Sequence, residues 1–153
     1  MAKTLRDIPT FTKRFWKGVG DEVADRIRVH TTKGGKDVDG VKFKPYSTGY
    51  AERKPKLFRG GTNFGSKVNL TLSGDMMNNL QTRGITKDSV VVGWSGTNAQ
   101  KIQWNADMGR EVTKPSMPVT KGIQRFILKQ VDRFIEKNAR EATKKPINLK
   151  IGK

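Results

Sequence analysis

The chain has 153 residues, of which 34% are hydrophobic and 29% are charged. This length predicts one domain, and the low apolar content predicts a compact core with polar excursions. Thirty-one basic residues against fourteen acidic ones give a formal net charge of +17, which points to a polyanion or an acidic protein as partner. Because the chain has no cysteine, the sequence excludes a disulfide scaffold, a thiolate metal site and a cysteine nucleophile.

The apolar segments of the chain are short. None approaches the roughly 20 residues of a membrane-spanning helix, and the first residues lack the apolar region of a signal peptide. We therefore expect a protein that is made in the cytoplasm and has no membrane partner.

The first predicted element is an amphipathic helix from about Thr10 to His30. Thr10 is predicted as its N-cap. Gly18 and Gly20 each weaken a helix interior by roughly 1 kcal/mol relative to alanine. The apolar residues recur every four positions, so they form one stripe that predicts packing on a sheet: Phe11, Phe15, Val19, Val23 and Ile27.

Residues 31–69 form a basic, glycine-rich insertion with nine basic and three acidic residues. A segment of this length without regular structure is usually functional or ordered only on binding, so we expect it to be mobile in the isolated protein. Within it, residues 41–46 alternate like a short strand. Ser47 is placed to cap a single helical turn through Tyr50 and Ala51.

Three elements are predicted between Leu70 and Gly109. Ser73 caps a short helix that ends near Thr82 to Gly84. Residues 88–94 form the clearest strand, and their three consecutive valines indicate burial on both faces. Residues 97–108 form a helix that Gly109 closes.

A long C-terminal helix is predicted over about residues 120–143, from apolar residues at i, i+3 and i+4. We expect Phe126, Ile127, Val131 and Phe134 to pack against the valine strand and the first helix. The predicted fold is α+β over residues 1–143: a small, mostly antiparallel sheet packed by a long N-terminal and a long C-terminal helix, with long extended loops. Residues 144–153 are predicted to form a basic extended tail.

No residue pattern supports catalysis, a cofactor or a metal site. Residues 60–67 resemble a phosphate-binding loop, but Ser66 and Lys67 stand in the reverse of the required order. His30 is the only histidine and is placed to complement a helix C-terminus. The Asp37–Gly40 stretch lacks most ligands of a calcium loop and is better explained as a tight polar turn. We therefore expect a protein that is not an enzyme.

The aromatic residues allow two interpretations. In the first interpretation, the aromatic rings stack on nucleic-acid bases and form a binding platform together with the neighbouring basic residues. Their spacing fits no RNA-recognition or cold-shock signature, so packing in the core or at an interface is preferred. The residues concerned are Trp16, Trp94 and Trp104 with Phe43, Tyr46 and Tyr50.

The order of motifs after residue 70 is distinctive. Leu72-Ser73-Gly74-Asp75-Met76 opens a short helix, Val90-Val91-Val92-Gly93 follows as a strand, and a helix from Asn98-Ala99 to Gly109 precedes Pro115 and Pro118. Upstream, Phe43, Pro45 and Ser47 match a Gly-x-x-Trp-x-Pro-Leu-Ser element, with Phe43 at the tryptophan position. This order resembles the small tail-completion and head-tail joining (virion morphogenesis) proteins of tailed bacteriophages, although Met76 and Val119 replace their usual leucine and aromatic residue.

The resemblance implies a structural protein of the virion. It would form a ring of six or twelve copies at the neck or tail end, beside portal, adaptor or tail-tube proteins, after assembly in the host cytoplasm. Packaged double-stranded DNA in the lumen is a further partner to consider. The residues expected at the assembly interface are Phe43, Pro45, Tyr46, Tyr50, Leu57, Phe58 and Phe64.

The positive charge leaves a second interpretation open, a small basic nucleic-acid-binding protein that acts alone. In either case no recognition helix presents base-reading side chains, so any DNA affinity should come from the phosphate backbone. The candidate contacts to a polyanion or an acidic partner are Lys33, Lys36, Lys42, Lys44, Lys54, Lys56, Arg59, Lys67, Lys144 and Lys145.

Overall fold

A computed structural model describes residues 11–57, 68–71, 73–113 and 121–144, without the side chains of the last three. Some predictions concern parts of the chain outside the described residues: Phe58, Arg59, Phe64, Lys67, Lys145, the side chain of Lys144, the 60–67 loop and the tail after residue 144. The elements in chain order are α1 (Lys13–Val29), α2 (Thr48–Leu57), α3 (Asp75–Asn78), β1 (Gln81–Ile85), β2 (Val90–Gly93), α4 (Thr97–Asp107) and α5 (Lys121–Lys144).

The predicted fold class is confirmed. The described part of the chain is α+β, with a two-stranded antiparallel sheet and a long helix towards each end. Gln81 pairs with Gly93 and Ile85 with Val90, and the register shifts between Thr82 and Gly84. The predicted helices over residues 97–108 and 120–143 are also confirmed within one or two residues, and Gly109 follows α4 with φ of 77°.

The prediction for α3 and β1 was wrong. The helix begins one residue after Gly74 instead of being capped by Ser73, and it ends at Asn78 rather than near Gly84. Residues 81–85 pair with β2 as a strand. This strand contains only one large apolar residue, so its own sequence carries almost no periodic signal, and the pairing with β2 decides its conformation.

The valines of β2 are buried on one face only, not on two as predicted. Val90 and Val92 pack against the core, whereas Val91 is 59% exposed. Alternation of this kind is expected for an antiparallel pair that covers a helix with one face and meets solvent with the other.

Helix α1 lies at the centre of the described fold. Thr12, not Thr10, is its N-cap, and its side chain accepts a hydrogen bond from the Phe15 amide at 3.1 Å. The helix continues through a π-helical turn, His30–Gly34, to Gly35 in the left-handed conformation with φ of 62°. His30 is the C-cap of α1, as predicted, and it is also the first residue of the π-helical turn.

Residues outside the apolar stripe of α1 also connect it to other elements. The indole of Trp16 donates to the carbonyl of Lys87 at 2.8 Å, which fixes the β1–β2 turn. The guanidinium of Arg28 donates to the carbonyls of Met77 at 3.3 Å and Leu80 at 3.1 Å, which fixes the link between α3 and β1. All three bonds satisfy backbone carbonyls in or beside short elements.

Helices α1 and α5 run antiparallel. The Phe15 and Phe134 rings lie 4.7 Å apart near one end, and the Arg26 guanidinium lies 4.8 Å from the Phe126 ring centroid towards the other. Ile123 is buried in the core, whereas Phe126 is half-buried and packs against the core from its edge. Helix α5 therefore covers α1 with one narrow edge.

The segment between α1 and α2 is better anchored than the sequence suggested. Lys36 and Lys42 form an isolated bridge in place of the predicted strand, and α2 has ten residues in place of a single turn. The predicted polar turn is confirmed, because the buried Asp37 carboxylate accepts from the amides of Asp39 at 2.9 Å and Val41 at 2.8 Å. Hydrogen bonds of this type hold a turn that has few apolar contacts.

Gly20 sets the distance between α1 and the sheet. A Cβ at this position would lie 2.6 Å from Cγ2 of Val90 and 2.7 Å from Oγ1 of Thr82, whereas a Cβ at Gly18 would meet nothing within 4 Å. The two glycines that seemed equivalent in the sequence therefore have different roles. Gly20 permits close packing, and Gly18 only lowers helix propensity.

We expect Gly20→Ala to destabilise the protein by about 1 to 3 kcal/mol, because it overpacks the contact with the sheet. Gly18→Ala is the matched control and should stabilise by about 0.5 to 1 kcal/mol through helix propensity alone. Urea denaturation of both variants measures the difference. Equal changes in the free energy of unfolding would show that α1 does not pack on the sheet in this way.

Candidate functional site

A groove of about 490 Å³ lies between α4, the residues on both sides of Ser47, and the stretch from Leu70 to Met76. One face of α4 forms a wall, since Lys101, Trp104, Asn105 and Met108 follow i, i+3, i+4 and i+7 spacing. No residue of this helix is buried. Trp104 is 55% exposed, so α4 presents a large aromatic side chain to the groove without packing it into the core.

Tyr46 and Tyr50 form part of the opposite wall. Their rings meet edge to face with centroids 4.9 Å apart. The Arg110 guanidinium lies 4.8 Å from the Tyr46 ring centroid, and the Lys54 ammonium lies 4.6 Å from it. Such contacts place positive charge against the negative face of an aromatic ring.

Arg110 joins the two walls. It is 8% exposed, its Nε donates to the carbonyl of Lys44 at 3.2 Å, and its Nη2 donates to the carbonyl of Pro45 at 3.3 Å. Its Nη1 has the Met108 sulfur as acceptor at 3.4 Å. Among the described residues, no carboxylate forms an ion pair with this guanidinium.

Lys54 lies behind the tyrosine wall and is only 1% exposed. Its Nζ donates to Oδ1 of Asn69 at 2.5 Å and to the hydroxyl of Tyr46 at 3.2 Å. Burial lowers the pKa of Lys54 to about 8, because the charged form loses solvation. Burial likewise raises the pKa of Tyr46.

The backbone is strained where the groove meets Lys54. Leu70 has φ of 50°, a left-handed conformation that costs roughly 1 to 2 kcal/mol for a residue with a Cβ. The Leu70 amide donates to the Tyr46 hydroxyl at 3.2 Å, and the Thr71 amide donates to Oδ1 of Asn69 at 3.2 Å. These two bonds hold the conformation and bring the buried Leu70 side chain to the groove.

The predicted interface residues do not form one surface. Tyr46 and Tyr50 come together in the groove, and Pro45 is exposed beside it. Phe43 is buried in the core, so its assignment to an interface was wrong. Leu57 is exposed at the last residue of α2.

The predicted basic contacts also separate into groups. Lys54 is buried, so its assignment as a surface contact was wrong. Lys36 is half-buried, while the other described members are exposed: Lys33, Lys42, Lys44 and Lys56. None of these lysines lines the groove, where the cations are Lys101 and Arg110. The helical spacing of Lys101, Trp104 and Met108 was visible in the sequence and could have identified that wall.

Helix α5 carries a second exposed surface, which sequence analysis missed. Leu128 is 61% exposed and Ile135 is 46% exposed, with the half-buried Val131 between them. Their i, i+3, i+7 spacing puts them on one side of the helix. We call these three residues the outer strip of α5. A row of exposed basic residues at i+4 spacing lies on a different side: Lys121, Arg125, Lys129, Arg133 and Lys137.

The described residues lack two kinds of feature. They contain no group of three or more histidine, cysteine or acidic residues placed to hold a metal ion. Nor do they contain a helix with the length and apolar content needed to cross a membrane. Comparison of the chain with protein-family models, curated proteins and solved structures found no match.

The pKa of Lys54 gives a pH-dependent prediction. Its folded pKa of about 8 lies below its ordinary value of 10.5, so the unfolded chain binds more protons between these two values. Stability should therefore rise from pH 8 to 10 by about 2 kcal/mol through this group. The raised pKa of Tyr46 opposes this rise only above its ordinary value of 10.0, because there the unfolded chain has fewer protons.

Chemical denaturation at pH 8, 9 and 10 measures this contribution. We expect the rise to be lost in Lys54→Met and kept in the matched variant Lys56→Met, because Lys56 is exposed. NMR titration of the Lys54 ammonium gives the same information without a substitution. Parallel stability curves for wild type and Lys54→Met, or an ordinary Lys54 pKa, would contradict the buried position.

Proposed function

We propose that this protein is a structural component of a tailed-phage virion, a neck or tail-completion subunit that forms a ring. The observation that carries the proposal is the outer strip of α5, because Leu128 and Ile135 are exposed at 61% and 46% on a long surface helix. Contiguous exposed apolar residues commonly mark a surface that another protein covers. The motif order from Leu72 to Pro118 supplies the phage context.

The proposed ring uses the strip in a head-to-tail contact. In such a ring each copy offers two different surfaces, so the strip of one copy meets another face of its neighbour. The narrow α1–α5 contact favours this role, because α1 covers only one edge of α5 and leaves the outer strip exposed. The ring would hold six or twelve copies and lie beside portal, adaptor or tail-tube proteins. It would perform no catalysis.

The second candidate, a basic nucleic-acid-binding protein, is favoured by the positive charge of the chain. The net charge is +17, and five basic residues are spaced four apart along α5. A row of this kind can track phosphates without reading bases. It is equally compatible with a ring whose lumen faces DNA.

The ring proposal predicts a substitution effect on assembly. We expect native mass spectrometry of the wild type to show a closed oligomer with one copy number. Leu128→Lys should reduce this oligomer to monomers, because it places a charge in a dry apolar contact. Val91→Lys is the matched control: Val91 is similarly exposed, at 59%, but lies on the solvent-facing side of β2. A monomeric wild type, or equal effects of the two variants, would contradict a ring built through the strip.

DNA binding distinguishes the two candidates. For the ring component we expect equal affinities for two unrelated duplexes, and a joint steep loss between low and physiological salt, because backbone contacts release counterions. Fluorescence anisotropy measures both duplexes. Nanomolar, sequence-dependent binding that persists at physiological salt would favour the nucleic-acid-binding protein instead.

A further inference from the structure

We propose that the groove beside α4 binds an acidic segment of a partner protein, with one apolar side chain between Tyr50 and Trp104 and a carboxylate on Arg110. This goes beyond ring formation, because the groove shares no residue with the outer strip of α5. A monomer could bind such a segment in the groove, and so could each copy in a ring. Four properties of the groove support the proposal.

The first property is size and shape. A volume of about 490 Å³ falls within the roughly 300 to 1,000 Å³ of sites that bury a ligand. The groove is also partly open to solvent, so one side chain of a peptide can enter it while the peptide backbone stays outside. This shape suits a peptide segment.

The second property is the concentration of exposed apolar side chains. Three exposed large hydrophobic residues line this groove: Trp104 at 55%, Met108 at 49% and Tyr50 at 37% exposed. Aromatic residues and methionine are enriched at the buried centres of protein interfaces. Their rigid surfaces lose little conformational freedom when they are covered.

The third property is the sign of the charge. Lys101 and Arg110 line the groove, and no acidic residue among the described ones lines it. An occupant with negative charge is therefore favoured and one with positive charge is disfavoured. Lys101 is exposed on the α4 wall and is placed for a contact at the rim of the groove.

The fourth property is the incomplete pairing of Arg110. A guanidinium that is 8% exposed has lost most of its water, yet the acceptor of its Nη1 is the Met108 sulfur, a weak one. Its other described acceptors are neutral backbone carbonyls. A carboxylate would supply the charged, two-pronged acceptor that a buried guanidinium prefers. Arg110 therefore identifies a carboxylate as the anionic group.

The walls favour a peptide over a nucleic-acid strand. A stacked base needs an open aromatic face, but Arg110 lies over the Tyr46 ring and Tyr50 meets that ring edge to face. Only Trp104 is left with a widely exposed ring in this groove. One such ring can hold a single apolar side chain, whereas strand binding uses successive stacking platforms.

The test uses the full-length protein and a dye-labelled acidic hexapeptide with a central phenylalanine, at physiological salt. Fluorescence anisotropy should give saturable binding that Trp104→Ala and Lys101→Gln each weaken by about tenfold. Lys129→Gln on α5 is the matched control, since it also removes one exposed positive charge but lies outside the groove. It should change the affinity by less than about twofold. Circular dichroism confirms that each variant is folded.

Two further probes separate the alternatives. The same peptide with glutamine in place of each acidic residue should bind at least about tenfold more weakly. A labelled oligothymidine should bind wild type, Trp104→Ala and Lys101→Gln with similar affinity, because it does not occupy the groove. Equal losses in Lys101→Gln and Lys129→Gln, equal binding of the neutral peptide, or groove-dependent binding of the oligothymidine alone would each overturn the proposal. A failure here leaves the assembly of rings through α5 untouched.

Discussion

The close approach of α1 to the β1–β2 hairpin is the contact on which the rest of the structure depends. A two-stranded sheet has too little apolar surface to be stable alone, so its stability comes from the helix beneath it. Gly20 lets Val90 and Thr82 reach the helix, and Trp16 and Arg28 fix the ends of the hairpin through backbone carbonyls. Once the hairpin is in place, the Trp94 indole donates to the Met76 carbonyl at 2.8 Å, which anchors α3 and positions one wall of the groove.

This arrangement leaves a small core and large open surfaces. Helix α1 uses one side for the sheet and a narrow edge for α5, so Leu128 and Ile135 have no covering element in the described fold. The groove has the same origin: α4 buries none of its residues, and its aromatic and basic side chains remain available. Buried cations such as Lys54 and Arg110 make that region costly to fold, which natural proteins commonly accept at binding sites.

Strong local signals predicted the long elements, whereas tertiary contacts decided the rest. The stripe of α1, the spacing of α5 and Gly109 after α4 are visible in the sequence because helical periodicity and glycine caps are local. The strand at residues 81–85 was missed because it contains only one large apolar residue, so its conformation depends on pairing with β2 and not on a periodic pattern of its own. In the groove, Tyr46 and Tyr50 were predicted as binding residues. Trp104 was named only as one of six aromatic residues for a nucleic-acid platform or for packing. Arg110 was not predicted, because its role arises from contacts with residues far away in the chain, such as the 3.2 Å bond from Arg110 to the Lys44 carbonyl.

If neighbouring copies cover the outer strip of α5, as we propose, pulsed electron paramagnetic resonance between labelled copies should detect the contact. The chain has no cysteine, so Asp132→Cys provides a single labelling site beside the strip without occupying it. Ring assembly through the strip predicts a narrow distribution of distances between labels on different copies, which Leu128→Lys abolishes. Labels that show no intermolecular distance in the concentrated Asp132→Cys protein, or distances that persist unchanged when Leu128→Lys is added, would contradict it.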